Sequence, residues 1–334
     1  MRDFGSRGVH VATLAARQLA RLFYGRDPEH SYFSGCSDGG REGIMAASRY
    51  PADFDGVVAG APVVSLTLNN SIYHAWIVQN LMRRDGGLRM TDAQLARIHA
   101  LTVTQCGRRQ KEADGILRRP ELCQPDLASL ACKAEPVADC LKAEDIQAAE
   151  AMYQGVRGAY FGVEPGSELG WNRQAAASHR FATSFLTTMT GATFKGEQNP
   201  FDARFDAASI ASYQGLAGEL DAPADIKAFA ERGGKLIIWH GWADTGVPPR
   251  SSLDYVARLR AQLGGSAVER FVRLYMLPGV EHCSGGNGPD RFDGLSAVME
   301  WVERGVSPRA LPATNHKPDS PRWTVAPYAD GPAR

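Results

Sequence analysis

The sequence has no segment that would place it in a membrane. No run of about 18 apolar residues occurs, whereas a bilayer-spanning helix needs about 20. The N-terminus, MRDFGSRGVHVATLAARQLARLF, also lacks an uninterrupted apolar stretch followed by a small-residue cleavage site. The chain as given is therefore predicted to carry neither a transmembrane helix nor a secretion signal.

Net charge is absent as well. The 37 Lys and Arg residues balance the 37 Asp and Glu residues, and no long basic run appears. A nucleic-acid partner is not expected, because binding to a phosphate backbone depends on clustered positive charge. Internal repeats and low-complexity tracts are missing too. The 334 residues fit two or three domains, or one large domain with an insertion.

Closely spaced CxxC pairs are missing, although the chain has six cysteines. They are Cys36, Cys106, Cys123, Cys132, Cys140 and Cys283. An even number without CxxC spacing favours disulfides over zinc ligands. Disulfides indicate an oxidising compartment, but the chain as given has no secretion signal that would direct it there.

The order of the predicted elements indicates a parallel sheet. Helices are predicted at 9–23, 41–50, 224–234, 248–265 and 290–305, and buried strands at 30–35, 54–63, 235–241 and 270–279. The first helix is amphipathic, with an apolar stripe of Val11, Leu14, Ala15, Leu19 and Leu22. Alternating strands and helices form a parallel sheet covered on both faces. We predict an α/β domain from residues 1–64 and 224–334, with residues 65–223 inserted as a lid domain.

A serine, an aspartate and a histidine follow three of these strands. Ser37 lies in Gly35-Cys36-Ser37-Asp38-Gly39, a G-x-S-x-G turn between a strand and a helix, and Asp244 and His282 each follow a later strand. Esterases of the α/β-hydrolase type use a serine, an acid and a base in this chain order, at strand ends. We therefore predict a catalytic triad on an α/β-hydrolase-type sheet.

Simpler interpretations exist for two of the polar residues. Asp244 has the sequence context of a turn, WADTGVPP. His240 lies inside a predicted strand, where a histidine with satisfied hydrogen bonds is expected, so we assign it no catalytic role. We leave open that His240 lies behind the triad, in contact with one of its residues but not with the substrate.

Cys36 precedes the predicted nucleophile and Cys283 follows the predicted base. If Ser37 and His282 are hydrogen-bonded, the two cysteines lie close together, and a disulfide between them would join the two catalytic turns. The alternative is a pair of buried free thiols.

Three segments together resemble the tannase/feruloyl esterase family. They are GCSDGGREGIMAASRYPADFDGVVAGAPV, GGKLIIWHGWADTGVPP and GVEHCSGGNGPDRFDGLSAVMEWVERG. The hallmark of the family is a Cys-Ser and a His-Cys sequence joined by a disulfide beside a Ser-Asp-His triad. The resemblance implies that Ser37 is the nucleophile, Asp244 the orienting acid and His282 the general base. It also implies that the backbone N–H of Asp38 contributes to the oxyanion hole.

The family hydrolyses esters of aromatic acids, among them gallates, hydroxycinnamates and mono-esters of terephthalate. The resemblance therefore implies a serine carboxylesterase for small aromatic esters that needs no cofactor. Most aromatic residues of the lid are expected in its core, and some in contact with an aromatic acyl group. They are Trp76, Tyr160, Phe161, Trp171, Phe181, Phe185 and Phe194.

The family's lid holds calcium in a loop between two disulfide-bonded cysteines, and this chain departs from that pattern. The matching loop runs from Cys106 to Cys123, and its ligand positions correspond to Gly107, Gln110, Glu112, Asp114 and Ile116. Asp114 is the single matching carboxylate, and basic residues crowd the loop, whereas calcium takes about 6 to 8 oxygen ligands. We expect the calcium to be lost and a basic side chain to pair with Asp114. The resemblance still implies the disulfides Cys106–Cys123 and Cys132–Cys140.

The second departure is at the start of the chain, where a single strand precedes Ser37. Family members carry more strands, a glycine-rich oxyanion segment and a signal peptide there. We expect the chain to be the C-terminal portion of a secreted or periplasmic protein. Expressed alone, it is expected to be poorly soluble and weakly active, because losing one oxyanion donor costs roughly 100- to 1000-fold in rate.

Two other functions remain open from the sequence. One is an esterase for non-aromatic substrates with a repurposed lid. The other is a catalytically impaired protein with a binding or structural role. The oligomeric state is not readable from the sequence.

Overall fold

The structure is a computed structural model that describes residues 1–112, 114–133, 137–188, 199–317 and 320–329. Its strands are β1 (Tyr32–Cys36), β2 (Gly56–Gly60), β3 (Lys235–Gly241), β4 (Val272–Leu277), β5 (Arg291–Phe292), β6 (Leu311–Thr314) and β7 (Trp323–Val325). Its α-helices are α1 (Gly8–Tyr24), α2 (Asp38–Arg49), α3 (Leu66–Leu68), α4 (His74–Leu81), α5 (Asp92–Gln110), α6 (Ala143–Gln154), α7 (Trp171–Thr188), α8 (Ala207–Tyr213), α9 (Ala217–Leu220), α10 (Lys227–Glu231), α11 (Arg250–Leu263), α12 (Gly265–Val268) and α13 (Gly294–Arg304).

The central sheet is parallel, with the strand order β1-β2-β3-β4. Every residue of β2 is buried, as expected for a strand that is covered on both faces. Alternate residues point to opposite faces: Val57 and Ile238 pack in the cluster that contains α2 and α11, whereas Val58 and Ile237 pack with α13. The predicted α/β fold with a parallel sheet is confirmed.

A second, antiparallel sheet of β5, β6 and β7 was missed from the sequence. These strands have two to four residues, too few for an alternating pattern to be recognised. Leu311 and Val325 from this sheet join the core cluster around α13. The small sheet therefore extends the hydrophobic core on that face of the central sheet.

The segment between β2 and β3 is helical and has a hydrophobic cluster of its own, in which Tyr73, Met152 and Trp171 are buried. An ion pair joins it to the sheet domain: Arg250, at the start of α11, donates to the buried Glu164 from Nε at 2.5 Å and from Nη2 at 3.1 Å. This arrangement is compatible with the lid. Its bounds, 65–223, stay a prediction.

No helix among the described residues is both long and apolar enough to cross a membrane.

Helix α1 turns its apolar stripe outward. Leu19 and Leu22 are 66% and 74% exposed, whereas His10 and Arg17 face inward and hydrogen-bond Asp53 and its neighbours. The helix lies near the start of β1, since Arg17 Nε donates to Ser31 Oγ at 3.2 Å. In the described part of the chain, β1 has a strand neighbour on one side only. An apolar helix face beside an open sheet edge favours self-association.

We expect the 334-residue chain to self-associate with increasing concentration, and the double substitution Leu19→Lys, Leu22→Lys to reduce this. The free energy of unfolding should change by less than about 0.5 kcal/mol, because exposed side chains contribute little to the core. Sedimentation velocity and thermal unfolding measure the two effects. Val9 packs against the core on the inner side of the same helix, so the control Val9→Lys should instead lower the melting temperature. Unchanged sedimentation of the double variant would contradict the role of this surface.

Candidate active site

Ser37 lies on a strained turn between β1 and α2. Its backbone has φ 64° and ψ −121°, a conformation that residues with a side chain rarely adopt. Three backbone hydrogen bonds hold it there: Ser37 N donates to Gly60 O at 2.9 Å, and Ser37 O accepts from Arg41 N and Val63 N. The turn thus presents the Ser37 hydroxyl at the carboxyl end of the sheet.

The two glycines of the G-x-S-x-G turn differ in their surroundings. A Cβ on Gly35 would lie 2.6 Å from the backbone oxygen of Gly39, so a larger residue would push the strand away from the helix. Nothing in the structure explains Gly39, whose Cβ position faces open space. Gly40 is the closely packed glycine of α2, since its Cβ would lie 2.5 Å from Gly60 O.

Ser37, His282 and Asp244 form a continuous hydrogen-bonded chain. The ring of His282 lies between them, with Nε2 2.8 Å from Ser37 Oγ and Nδ1 2.6 Å from Asp244 Oδ2. The other carboxylate oxygen, Asp244 Oδ1, accepts from the backbone N–H groups of Gly246 and Val247 at 2.7 and 2.9 Å. The structure therefore brings the three sequence-predicted residues together.

Electrostatics favour an ionised Asp244 beside a basic His282. Burial alone would raise the pKa of Asp244, but the charge of His282 and hydrogen bonds from His240 and His282 hold it well below the ordinary value. Burial alone would lower the pKa of His282, and the charge of Asp244 and the hydrogen bond to it outweigh this and raise that pKa. Both shifts favour an ionised Asp244 beside a His282 that readily takes a proton.

A disulfide joins the turns that carry Ser37 and His282. Cys36 and Cys283 are bonded, with their Cα atoms 5.9 Å apart and 247 positions apart in the sequence. Closing a loop of this length is worth about 5 kcal/mol in the chain-entropy model. The structure also pairs Cys106 with Cys123 and Cys132 with Cys140.

Asp38 is the first residue of α2, directly after Ser37. N–H groups in the first turn of a helix have no partner within the helix, and they favour negative charge. The Asp38 carboxylate binds elsewhere, since it accepts from Arg41 Nε at 2.6 Å. Arg41 is fully buried and donates further to the carbonyls of Gly5 and Leu220, which fixes the start of α2.

Three residues support the Asp244 loop, and of these the sequence analysis considered only His240, as a residue behind the triad. His240 is fully buried and lies 3.1 Å from Asp244 Oδ2 through Nε2. From the lid segment, the Tyr73 hydroxyl donates to Thr245 O at 2.8 Å, and Asn69 Nδ2 donates to Gly246 O at 3.3 Å. The spacing of His240 and Asp244 around a strand end could have indicated the first contact, but no sequence signal points to the other two.

The predicted lid aromatics divide into core and surface. Tyr160, Trp171 and Phe185 are buried in hydrophobic clusters, and Trp76 and Phe161 are half-buried. Phe181 is 51% exposed and stacks on His74 with ring centroids 5.2 Å apart. Phe194 lies outside the described residues.

The loop from Cys106 to Cys123 does not fit a calcium ion. The guanidinium of Arg118 binds Asp114 through two contacts, Nη2–Oδ2 at 2.7 Å and Nη1–Oδ1 at 3.1 Å, and Nη1 also donates to the carbonyl of Ile116. Glu112 accepts from the backbone of Arg118, and Gln110 exchanges two hydrogen bonds with the backbone of Arg119.

The carboxylates of Glu112 and Asp114, the side-chain oxygen of Gln110 and the carbonyl of Ile116 are therefore already bonded to a cation or to N–H groups. Calcium sites in proteins usually combine several carboxylates, and no group of three or more His, Cys, Asp or Glu suited to a metal occurs in the described ranges.

Known proteins match this chain over nearly its whole length. A mono(2-hydroxyethyl) terephthalate hydrolase from Piscinibacter sakaiensis is 31% identical over 377 residues, covering 95% of this chain and 62% of that protein. A probable feruloyl esterase B from Aspergillus clavatus is 29% identical over 349 residues, covering 92% of this chain and 63% of that protein. The crystal structure of feruloyl esterase B from Aspergillus oryzae has a TM-score of 0.88 at 24% identity, covering 98% of this chain and 70% of that one.

This chain thus spans less than two thirds of the length of these two relatives. The family model for "Tannase and feruloyl esterase" matches residues 1–328. Because this match takes in nearly the whole sequence, the chain belongs to the tannase and feruloyl esterase family.

Proposed function

We propose that the protein is a serine carboxylesterase that hydrolyses small esters of aromatic acids, with Ser37 as nucleophile, His282 as general base and Asp244 as the orienting acid. The observation that carries the proposal is the unbroken hydrogen-bond path from Ser37 Oγ through His282 to Asp244. Family membership supports the reaction class, because the relatives are named as esterases or as a hydrolase of a terephthalate mono-ester.

The proposed reaction proceeds through an acyl-enzyme. Ser37 Oγ attacks the ester carbonyl carbon while His282 Nε2 takes its proton, and Asp244 stabilises the imidazolium that forms. His282 then gives this proton to the alkoxy oxygen, the C–O bond breaks and the alcohol leaves. A water molecule, deprotonated by His282, attacks the acyl-enzyme, and the acid is released as Ser37 regains its proton.

The backbone N–H of Asp38 is proposed as one oxyanion donor. Its position at the start of α2 supports this, because the N–H follows the nucleophile directly and adds the favourable field of a helix N-terminus. In this reaction type, a donor that binds the tetrahedral oxyanion lowers the barrier more than it stabilises the substrate.

Preference for an aromatic acyl group is supported by Phe181. Its exposed ring stacks on His74, which contacts Asn69, and Asn69 in turn donates to the Gly246 carbonyl next to the triad. A Cβ on Gly246 would lie 3.2 Å from the ring of His282. An aromatic acid that reached Ser37 from this side could stack on Phe181.

We also propose that the protein works in an oxidising compartment, either secreted or periplasmic. Its three disulfides support this, since such bonds persist outside the reducing cytoplasm. The proposed partner is a small ester. No metal ion is proposed, because Arg118 already binds the carboxylate of Asp114 and the carbonyl of Ile116 in the loop from Cys106 to Cys123.

The substrate proposal is tested with methyl ferulate, methyl gallate, a mono-terephthalate ester and methyl butyrate. We expect kcat/KM to be higher for the aromatic esters than for the butyrate, and Ser37→Ala to abolish turnover of all four because it removes the nucleophile. Comparable values for methyl butyrate would contradict the aromatic preference.

Phe181→Leu supplies the matched control, because it keeps an apolar side chain but removes the ring. It should lower kcat/KM for the aromatic esters by about 3- to 10-fold and leave that for methyl butyrate unchanged, as expected for a lost stacking contact. A uniform loss on all esters would assign Phe181 to lid stability.

The Cys36–Cys283 bond should matter for rate although neither sulfur reacts. In the double variant Cys36→Ala, Cys283→Ala, kcat should fall about 10- to 100-fold, because the two turns are no longer held in register. The double variant Cys132→Ala, Cys140→Ala is the control and should keep kcat, since it opens a loop in the lid segment. Wild-type kcat in the first variant, measured under identical conditions, would show that hydrogen bonding alone aligns the triad.

Calcium should neither bind tightly nor stabilise the protein. Protein purified without chelator should contain no stoichiometric calcium by elemental analysis, and neither millimolar calcium nor EDTA should change its melting temperature. Arg118→Met should lower the melting temperature, because Glu112 and Asp114 lose their cation. Arg84→Met, which breaks an exposed ion pair with Asp202 in the same segment, should have a smaller effect. One tightly bound calcium per chain would contradict the proposal.

A further inference from the structure

We infer that His240 is a positioning residue that holds the Asp244 carboxylate in the orientation and charge state that the triad needs. The inference rests on the proposed function, since it assigns a role within the proposed triad. The sequence gave His240 no catalytic role and left open a position behind the triad, and the inference assigns it that position. His240 does not contact Ser37 in the structure, so any effect on the reaction passes through Asp244.

The geometry places His240 directly behind the acid. It is the sixth residue of β3 and is fully buried. Its Nε2 lies 3.1 Å from Asp244 Oδ2 and 3.1 Å from the carbonyl oxygen of Val247, and its Nδ1 lies 2.8 Å from Ser252 Oγ on α11. Asp244 Oδ2 therefore lies between two imidazole rings, those of His240 and His282.

The partners of the ring fix its tautomer. Nε2 faces a carboxylate oxygen and a carbonyl oxygen, neither of which has a proton to donate, so Nε2 carries the hydrogen. Nδ1 is then the acceptor, and the Ser252 hydroxyl donates to it. With the opposite tautomer, a lone pair on Nε2 would face two oxygens in a buried site, which is unfavourable. Ser252 is thus the partner that keeps His240 a donor to Asp244.

This donor completes the set that makes a buried carboxylate stable. Asp244 is fully buried and accepts from Gly246 N, Val247 N, His240 Nε2 and His282 Nδ1. Three of these donors belong to residues other than the catalytic base His282. Of these three, only His240 donates from a side chain. Without it, Oδ2 would keep only His282 of these side-chain donors, and Asp244 would hold the His282 proton more tightly.

The consequence is a change in the basicity of His282. Other titratable groups facing this pair come from the lid segment: burial and, after it, the charge of Asp244 raise the pKa of Tyr73, and His74 interacts electrostatically with His282. Burial lowers the pKa of His74 to about 3, so it stays neutral above that pH. Tyr73 also stays neutral near pH 7. A shift of the His282 titration on changing His240 is therefore attributable to Asp244.

The test compares His240→Leu with His240→Gln in the full chain. Leucine fills a similar volume without a donor, whereas the Gln Nε2 lies the same number of bonds from the backbone as the His Nε2. The measurement is the second-order rate constant for labelling of Ser37 by a fluorophosphonate, followed across pH. His240→Leu should lower the plateau about tenfold or more and move the acidic midpoint upward by about half a pH unit. His240→Gln should stay within about threefold of the wild type.

Ser252→Ala tests the same contact without altering the ring. It removes the hydroxyl that selects the tautomer and should shift the midpoint in the same direction, by less than His240→Leu does. Ser251→Ala, at the neighbouring and equally buried position, is the matched control and should leave the profile unchanged. Ser252→Ala also keeps the test decisive if His240→Leu does not fold.

Two readouts separate this inference from the proposed function. If the wild type is no more reactive than Ser37→Ala, the proposed function fails, and the low-field proton NMR signal of His282 Nδ1–H still decides the role of His240. A shift of that signal in His240→Leu or Ser252→Ala supports the inference. An unchanged signal overturns it, as does a labelling profile of folded His240→Leu that matches the wild type.

Discussion

The buried carboxylate of Asp244 is the constraint around which the site is organised. Moving a charge out of water is costly unless hydrogen bonds replace the lost hydration. Asp244 is fully buried, and its loop supplies two backbone donors, from Gly246 and Val247. The lid segment holds the same loop from outside, through Tyr73 on the Thr245 carbonyl and Asn69 on the Gly246 carbonyl. The position of the acid therefore depends on both the sheet and the inserted segment.

The inserted segment is joined to the rest of the chain by ionic contacts as well as by apolar packing. Glu164 is buried and binds Arg250, and Arg118 places its guanidinium 4.9 Å from the ring centre of Trp323 on β7. Such contacts are specific in direction, so they fix how the segment sits on the sheet. In the loop from Cys106 to Cys123, the same Arg118 supplies the positive charge that faces the carboxylates of Asp114 and Glu112. A fixed side chain does this without depending on the ion concentration of the medium.

The sequence was informative where chemistry and strand ends coincide. Ser37, Asp244 and His282 each follow a strand of one parallel sheet, and such a sheet brings its carboxyl ends together, so their proximity was predictable. The closeness of Cys36 and Cys283 was predictable for the same reason, since each is the chain neighbour of a triad residue. The contacts of Tyr73 and Asn69 were not predictable, because they depend on side-chain directions and on how the lid segment lies over the Asp244 loop. The sequence also did not predict which basic residue pairs with Asp114, because five Lys and Arg residues lie in the same loop.

The outward face of α1 shows a different limit of sequence reasoning. Periodicity predicted the helix and its apolar stripe, but it does not say what covers a stripe, and the described residues leave Leu19 and Leu22 exposed. The inner face includes Val9 but also polar contacts: His10 binds Asp53 and stacks on Tyr50. An amphipathic pattern indicates that a helix has two unlike faces, and tertiary contacts decide which of them is turned toward the core.

Backbone strain gives the Cys36–Cys283 bond a second role. Ser37 and Cys283 both have a φ of 64°, a conformation that costs of order 1 to 3 kcal/mol in a residue with a side chain. Glycine would adopt it more easily, but it would bring neither a hydroxyl nor a sulfur. The two strained residues are adjacent to, or part of, the same disulfide, so relaxation of either turn would have to move the other. The cross-link therefore holds in place two turns whose local conformations are unfavourable, and between them lies the hydrogen bond from Ser37 to His282.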